Sequence, residues 1–372
     1  MTKNIALQKC VSYNFDEVFS AIKKMLQDVP PPDVRGKIVL IKPNILYPKK
    51  VEACVCTNPV VTGALVKAFV ELGAKKVLAG ESPAVANSTS AAKSTGTFEQ
   101  VVSNGGEWID FHGKVFVENP EGALAKKFEF AEAFAEADVI VSAAKLKSHQ
   151  LMKYTGAMKN LFGLMVGLEK AQCHYRFSNP DDFGKFLVDL NLAAKPQYAV
   201  IDAVMGMDGP GGPGSGDPIQ LNFLAASDNI LALDWICSSL VGYNPREINY
   251  LQDALQRKIW LDSAEEIQTI GTASSELACD KFRIVKSNGI FGSMLPAPLK
   301  PLAKFFLTRN PHFKNEKCVK CARCEKICPA KIIAMQGKNG TAKMMDREKC
   351  LHCFCCHEIC PEGAISLRRF IW

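Results

Sequence analysis

Eight cysteines near the C-terminus fall into two sets with one spacing. Cys318, Cys321, Cys324 and Cys328 precede Pro329, and Cys350, Cys353, Cys356 and Cys360 precede Pro361, so each set reads C-x2-C-x2-C-x3-C-P. Every cysteine of the second set lies 32 residues after its counterpart in the first, and Ile333 is echoed by Ile365. The segment is therefore an internal repeat. A tight loop can bring three thiolates to one inorganic centre, whereas a cubane needs four converging from several directions; the fourth must come from elsewhere in the chain. Zinc knuckles and disulfides are the plainer alternatives, but zinc sites do not usually repeat a three-cysteine loop with a closing Cys-Pro. Cys355, wedged between two of these positions, falls off the pattern and reads as a spare thiol.

The spacing resembles that of the bacterial two-cluster ferredoxins. That resemblance implies two 4Fe-4S clusters, with the last cysteine of each run crossing to the other cluster. Cys318, Cys321, Cys324 and Cys360 would hold one, and Cys350, Cys353, Cys356 and Cys328 the other. At 372 residues the chain is too long for a ferredoxin alone, so a large domain plus a small one is expected. The expected division is an α/β domain over 1–286, a proline-rich linker over 287–309, and a small α+β two-cluster ferredoxin-like domain over 310–372. Leu299, Leu302, Phe305 and Phe306 with Lys300 and Lys304 suit a short linker helix packed between the two domains better than one seeking a membrane.

The formal charge of +7 raises a nucleic-acid partner, but its location argues otherwise. From Asn310 onward there are 12 Lys and Arg against 6 Asp and Glu, nearly the whole excess. A cubane with four thiolates carries roughly −2 when oxidised, so two clusters cancel about four of those charges. No nucleic-acid partner is expected. No apolar run reaches the length of a membrane span, and the N-terminus lacks the apolar core of a signal peptide. The seven cysteines outside the repeat show no framework spacing, which places the chain in a reducing cytoplasm.

Upstream, apolar runs alternate with amphipathic stretches, the signature of an α/β fold with a mainly parallel, Rossmann-like sheet and helices on both faces. Strands are expected near Ile5–Gln8 and over Lys37–Ile41, Val77–Gly80, Val139–Val141, Tyr198–Ile201 and Leu221–Ala226, with Trp108–Phe111 and Val115–Val117 as short strands of an irregular insertion. Helices are expected over Phe15–Leu26, after Thr57 or Asn58, over Met158–Met165, Phe183–Ala194 and Ile230–Val241.

Polar residues gather where these strands end: Lys42 and Asn44, Glu81, Lys145 with Lys147 and His149, and Asp202. In open α/β sheets ligands bind outside the carboxyl ends of the strands. The period of two puts Lys145, Lys147 and His149 on one side of their strand. Cations gathered in a dry site repel unless an anion, or carboxylates such as Glu81 and Asp202, offset them. A small anionic ligand held by Lys42, Lys145, Lys147 and Lys159 is therefore expected, with His149, His174 or a lysine of depressed pKa supplying a proton. Gly209–Gly214 spells G-x-G-x-x-G, but two prolines interrupt it and an extended segment follows, so it reads as a lid or crossover loop rather than a dinucleotide site. No Walker A loop is present. Cys54, Cys56 and Cys173 read as small buried hydrophobes.

Lys42-Pro43-Asn44, the segment Lys145 to Gly163 (KLKSHQLMKYTGAMKNLFG), His174, Asp202, Asp208-Gly209-Pro210, Ser227-Asp228 and Ala232-Leu233-Asp234 together resemble the family called domain of unknown function 362 over about residues 36–242. Cys54-Val55-Cys56 departs from the small-residue loop of that family. The resemblance implies fusion to a ferredoxin module and a redox-linked role, supports the pocket residues including Asn160, and brings no reaction with it. The expected activity is an oxidoreductase that passes electrons between a redox partner protein, the clusters and the anion. A carrier or assembly factor without enzymatic activity is the alternative, and a non-redox enzyme with structural clusters is a third.

Overall fold

The computed structural model describes residues 2–47, 51–84, 86–210, 212, 216–285 and 309–369. The expected linker up to residue 308 and its helix lie outside the described residues, as do Gly211, Pro213 and Gly214 of the glycine-proline loop.

In chain order the strands of the larger part are β1 (Lys3–Lys9), β2 (Ile38–Pro43), β3 (Lys76–Glu81), β4 (Glu107–Asp110), β5 (Val115–Glu118), β6 (Lys127–Phe130), β7 (Val139–His149), β8 (Lys153–Thr155), β9 (Tyr198–Asp208), β10 (Asp217–Ser227) and β11 (Ile267–Gly271). The central sheet runs β11, β1, β10, β9, β7, β2, β3, β4, with β8 added to β7. The β9–β7–β2–β3–β4 run is parallel throughout, and the β9–β10–β1 meander is antiparallel. Among the helices are α1 (Phe15–Asp28), α2 (Pro59–Glu71), α3 (Ser88–Thr95), α4 (Thr97–Ser103), α5 (Ala133–Glu136), α6 (Ala157–Asn160), α7 (Glu169–Arg176), α8 (Pro180–Ala194), α9 (Ile230–Leu240) and α10 (Asn249–Gln256).

Each strand divides its side chains between two cores, as the pleat requires. Val39, Ile41, Val77, Ala79, Val139 and Val141 pack against α1 and α2 on one face. Leu40, Leu78, Ile140, Ala144 and Leu146 pack against α6, α8, α9 and α10 on the other. The α/β sheet with helices on both faces is thus the fold. Asn58, not Thr57, caps α2: its side chain accepts Val60 N–H at 3.0 Å. Thr57 is used elsewhere, accepting Asn44 N–H at 3.0 Å and donating to Ala143 O at 2.8 Å.

Several expectations need correction. Glu107–Asp110 is no insertion strand but the edge of the main sheet, parallel to β3, while Val115–Glu118 pairs only with β6. The stretch Met158–Met165 divides into the single turn α6 and a 3-10 turn over Leu161–Leu164. Most consequentially, β7 and β9 each run 11 residues, to His149 and Asp208. Neighbours β8 and β10 keep pairing with them past the expected ends, so Lys145, Lys147, His149 and Asp202 are strand residues rather than loop residues.

In the C-terminal part, β12 (Arg309–Phe313) pairs with β15 (Ile365–Arg369) and β13 (Ile333–Ala334) with β14 (Lys343–Met344). The sequence repeat is a backbone repeat. Lys320, Ala322 and Lys331 have left-handed φ of 58°, 56° and 54°, and 32 residues later His352, Phe354 and Gly363 have 53°, 62° and 58°. Left-handed backbone is uncommon for residues other than glycine and marks a path forced on the chain. Here it recurs at two positions between the cysteines of each loop and once more three residues past each closing cysteine, at Lys331 and Gly363. One apolar cluster joins Tyr47, Val55 and Met207 to Ile327, Ile359 and Ile365, so the cysteine repeat sits on the larger part. Among the described residues no helix is long and apolar enough to cross a membrane.

Candidate functional site

The buried ends of β2, β3, β7 and β9 build a polar layer beneath the cysteine repeat, and its lysines divide into two kinds. Lys42 is neutralised: Nζ is ion-paired to Glu81 and donates to Asn160 Oδ1 at 3.0 Å, while Asn160 Nδ2 returns a bond to Lys42 O at 2.8 Å. Lys145 is neutralised as well. Its register partner on β9 is Asp202, which accepts from Lys145 Nζ at 3.0 Å, from Tyr13 Oη at 2.8 Å and from Asn58 N–H at 2.9 Å. These two expected ligand-binding cations are each offset by a carboxylate of a neighbouring strand.

Lys147 and Lys159 have no carboxylate of the sheet to meet them. Lys147 is 1% exposed and donates to Asn44 Oδ1 at 2.7 Å and Val55 O at 2.6 Å, both uncharged. Burial pulls its pKa down to about 7, against the smaller opposing pull of the Cys56 thiol. Lys159, partly buried, has no hydrogen-bond or ion-pair partner among the described residues, and burial lowers its pKa also.

The carboxylate nearest these two lysines comes from the cysteine repeat. Glu358 lies on the one-turn helix Cys355–Glu358, is 8% exposed, and is within electrostatic reach of Lys159 and Lys147; burial raises its pKa. His149 faces it. The imidazole Nδ1 accepts N–H bonds from Leu151 and Met152, each at 3.1 Å, so the proton of the neutral ring is on Nε2. Nε2 stands 3.2 Å from Glu358 Oε1, yet neither atom makes an aligned hydrogen bond. Burial holds the His149 pKa well below 6.5. His174 stacks on Phe183 at 4.3 Å, leaves Nδ1 without a partner, and is pushed by burial down to about 3. Both histidines are neutral at physiological pH.

Asn160 and the glycines of TGAMKNLFG are explained by packing. A Cβ on Gly163 would run into Glu81 and the Lys42 ammonium, and one on Gly156 into Asp234, whose carboxylate accepts Ala157 N–H at 2.6 Å and Met158 N–H at 2.9 Å. Gly163→Ala is therefore expected to force the Lys42–Glu81 pair apart and destabilise the fold by roughly 1–3 kcal/mol, read as a fall in the thermal midpoint. The glycine-proline loop joins the antiparallel strands β9 and β10, and Ser148 Oγ ties it down by donating to Gly209 O at 2.7 Å.

The eight repeat cysteines line two separate cavities. Cys318, Cys321, Cys324 and Cys360 line one, with Phe313, Met335 and Ile365; Cys328, Cys350, Cys353 and Cys356 line the other, with Ile332, Ile333 and Met344. Among the described residues no three Cys, His, Asp or Glu side chains close to the spacing of a single bound ion. The thiols surround a volume instead, which is what a cubane with iron and sulfide at its corners requires. Cys355 lines neither cavity.

Four contributors escape the sequence reading. Tyr13 and Lys170 lie in segments with no motif; Lys170, whose pKa burial lowers to about 8, ties Ser82 O to Met165 O. Cys56 sits beside Lys147 instead of merely filling the core. Glu358 did carry a signal. Its repeat counterpart 32 residues earlier is Lys326, which is exposed, so the repeat inverts charge and burial at one position between two cysteines.

Residues 317–364 match a 4Fe-4S dicluster domain, which makes this an iron–sulfur protein built from a ferredoxin module and an α/β sheet. The chain belongs to the family described as Domain of unknown function (DUF362), which it matches over residues 39–239. A thylakoid-associated protein of Synechocystis sp. is 27% identical over 318 residues, covering 83% of this chain and 96% of that protein. Among solved structures, the lactate racemase apoprotein from Thermoanaerobacterium thermosaccharolyticum matches with a TM-score of 0.39 and 15% identity over 60% of this chain and 54% of its own. A Thermotoga maritima protein matches with a TM-score of 0.31 and 12% identity over 54% and 52%. The chain spans about half the length of each of these two structures.

Proposed function

We propose that this protein is an iron–sulfur oxidoreductase that exchanges electrons between a redox partner protein and a small anion held by Lys147 and Lys159. The observation that carries the reading is the pair of ammonium groups without a carboxylate of the sheet, directly beneath the turn between Cys356 and Cys360. Neither ammonium makes an ion pair within 4.0 Å among the described residues, Glu358 acting on them only from farther off; a buried cation so weakly met is costly, and such costs persist where a ligand is to be bound. In this reading each cysteine cavity holds one 4Fe-4S cluster with the crossed ligand set, and the two together supply two single electrons. Lys147 and Lys159 position the anion, the Nε2–H of neutral His149 donates a hydrogen bond to it, and Lys147, with a pKa near neutrality, is placed to give up a proton. Lys42 with Glu81 and Lys145 with Asp202 keep the floor rigid, and Asn44 and Asn160 hold Lys147 and Lys42 in place. The division at about residues 286 and 310 and a reducing cytoplasmic setting belong to the same reading.

The test is to reduce the protein anaerobically, add carboxylates and phosphate one at a time, and follow the cluster absorbance. At least one anion is expected to reoxidise it. If none does while a protein partner exchanges electrons rapidly, the molecule is a carrier or assembly factor. Turnover that survives loss of redox activity with the clusters intact would mark a non-redox enzyme.

Anion affinity should fall as pH rises through about 7, because Lys147 loses its charge there. Lys159, also depressed by burial, acts in the same direction. Above that point the loss approaches about tenfold per pH unit, and Lys147→Arg should move the fall to higher pH. Affinity that is flat from pH 6 to 9 would remove Lys147 from the site.

A further inference from the structure

Glu358 presents a buried carboxyl group to the two lysines of the polar layer, yet it is poorly bonded. It is 8% exposed and faces Lys159 and Lys147, but its Oε1 has no hydrogen-bond donor. His149 Nε2 lies 3.2 Å away, out of line, and is itself without a partner. His149 is not free to reorient toward Glu358, because two backbone N–H groups hold its Nδ1. His174 Nδ1, near Lys159 and His149, is a third buried polar atom left without a partner. Buried donors and acceptors are rarely left unmade, and the facing pair of His149 Nε2 and Glu358 Oε1 indicates that another group completes them.

We propose that the ligand of this pocket is a small carboxylate that takes the place of the Glu358 side chain between Lys147, Lys159 and His149. The space already holds a planar two-oxygen anion of that size, and Glu358 is the occupant in this structure. Replacing one carboxylate by another leaves the charge of the site unchanged, so the exchange is governed by hydrogen bonding. A free carboxylate can align with the fixed His149 Nε2–H, which Glu358, tethered to its turn, does not. Because Glu358 lies between Cys356 and Cys360, its displacement couples occupancy of the pocket to the surroundings of the cysteine cavities. The inference rests on the anion-site reading above and adds to it the ligand class and the internal competitor.

The experiment is calorimetric titration of the full-length, cluster-loaded protein with acetate at pH 6.5, with inorganic phosphate as the second probe. Glu358→Gln keeps the shape and removes the competing charge, so it should bind acetate at least tenfold more tightly than wild type, with the cluster absorbance unchanged. Glu358→Ala, which cannot supply an amide contact, should show the same direction, and Lys147→Met should lose binding. Affinity in both Glu358 variants equal to or weaker than wild type would overturn the displacement, while loss in Lys147→Met would leave the anion site standing. Tighter binding of phosphate than acetate throughout would overturn the ligand class. If neither probe binds any form, the anion-site reading itself falls with it.

Discussion

Asp202→Ala is expected to destabilise the folded chain by about 3–5 kcal/mol. Asp202 is fully buried and meets the Lys145 ammonium at 3.0 Å, the Tyr13 hydroxyl at 2.8 Å and the Asn58 N–H at 2.9 Å. Truncation leaves Lys145, itself 1% exposed, with an uncompensated charge, and leaves the Asn58 N–H at the start of α2 without its acceptor. The unpaired ammonium dominates, because a lost neutral hydrogen bond costs only about 1 kcal/mol. Denaturant unfolding followed by circular dichroism measures it. Asp202→Ala with Lys145→Met should recover most of the loss, since the double change removes the stranded charge as well as its partner. A single-mutant loss below about 1 kcal/mol would mean that water or a shifted side chain reaches Lys145 and that the pair is not the buried brace described above.

Lys147→Met has the opposite signature: a more stable protein that no longer binds the anion. At pH 6 the wild-type side chain is charged, buried and without a carboxylate of the sheet. Desolvating an ammonium costs several kcal/mol, and the charge-assisted bonds to Asn44 Oδ1 and Val55 O return about 1.5–3 kcal/mol each. The folded pKa of about 7, with burial its largest cause, puts the balance on the side of desolvation, so a gain of about 2 kcal/mol is expected at pH 6. The pH dependence follows from linkage. The folded pKa of about 7 lies below the ordinary lysine value of 10.5, so between those limits the unfolded chain holds the extra proton. Wild-type stability should then rise with pH across that window by up to about 1.4 kcal/mol per unit, and the slope should be shallower in Lys147→Met. By pH 9 the neutral amine keeps its hydrogen bonds at little cost, and the variant's advantage should vanish or reverse. An advantage that stays constant from pH 6 to 9 would show that packing, not charge, sets the difference. A group that lowers stability where it is most conspicuously placed is expected of a binding residue.

Much of the site could be read along the chain because its chemistry is local. The three-cysteine loops and their 32-residue offset are visible in the chain directly, and the left-handed residues at 320 and 352, and at 322 and 354, repeat with the same offset. The burial of Val39–Ile41 and Val139–Val141 is legible from their continuous apolar character, because a strand covered on both faces has no polar side to show. The period of two puts Lys145, Lys147 and His149 on one side of their strand, and all three are buried residues of β7.

Strand length was not legible. β7 and β9 continue through Lys145, Lys147, His149 and Asp202 because β8 and β10 supply hydrogen-bond partners, and neither apolar run announces a neighbour that far away in sequence. Nor could the lysines be ranked. Lys42, Lys145, Lys147 and Lys159 look alike as residues at strand ends, and they differ only in what the adjacent chain presents.

The sequence by itself determined the cysteine repeat, the mainly parallel sheet and the edge at which charged groups collect, since each follows from spacing or periodicity within a short stretch. Only the tertiary structure decided which charges are spent. Register between β7 and β9 sets Asp202 against Lys145, β3 beside β2 brings Glu81 to Lys42, and docking of the repeat brings Glu358 over Lys147 and Lys159 from some two hundred residues away. The physical reason is that a buried charge is governed by its nearest counter-charge, and for these four lysines that counter-charge is carried by another segment of the chain.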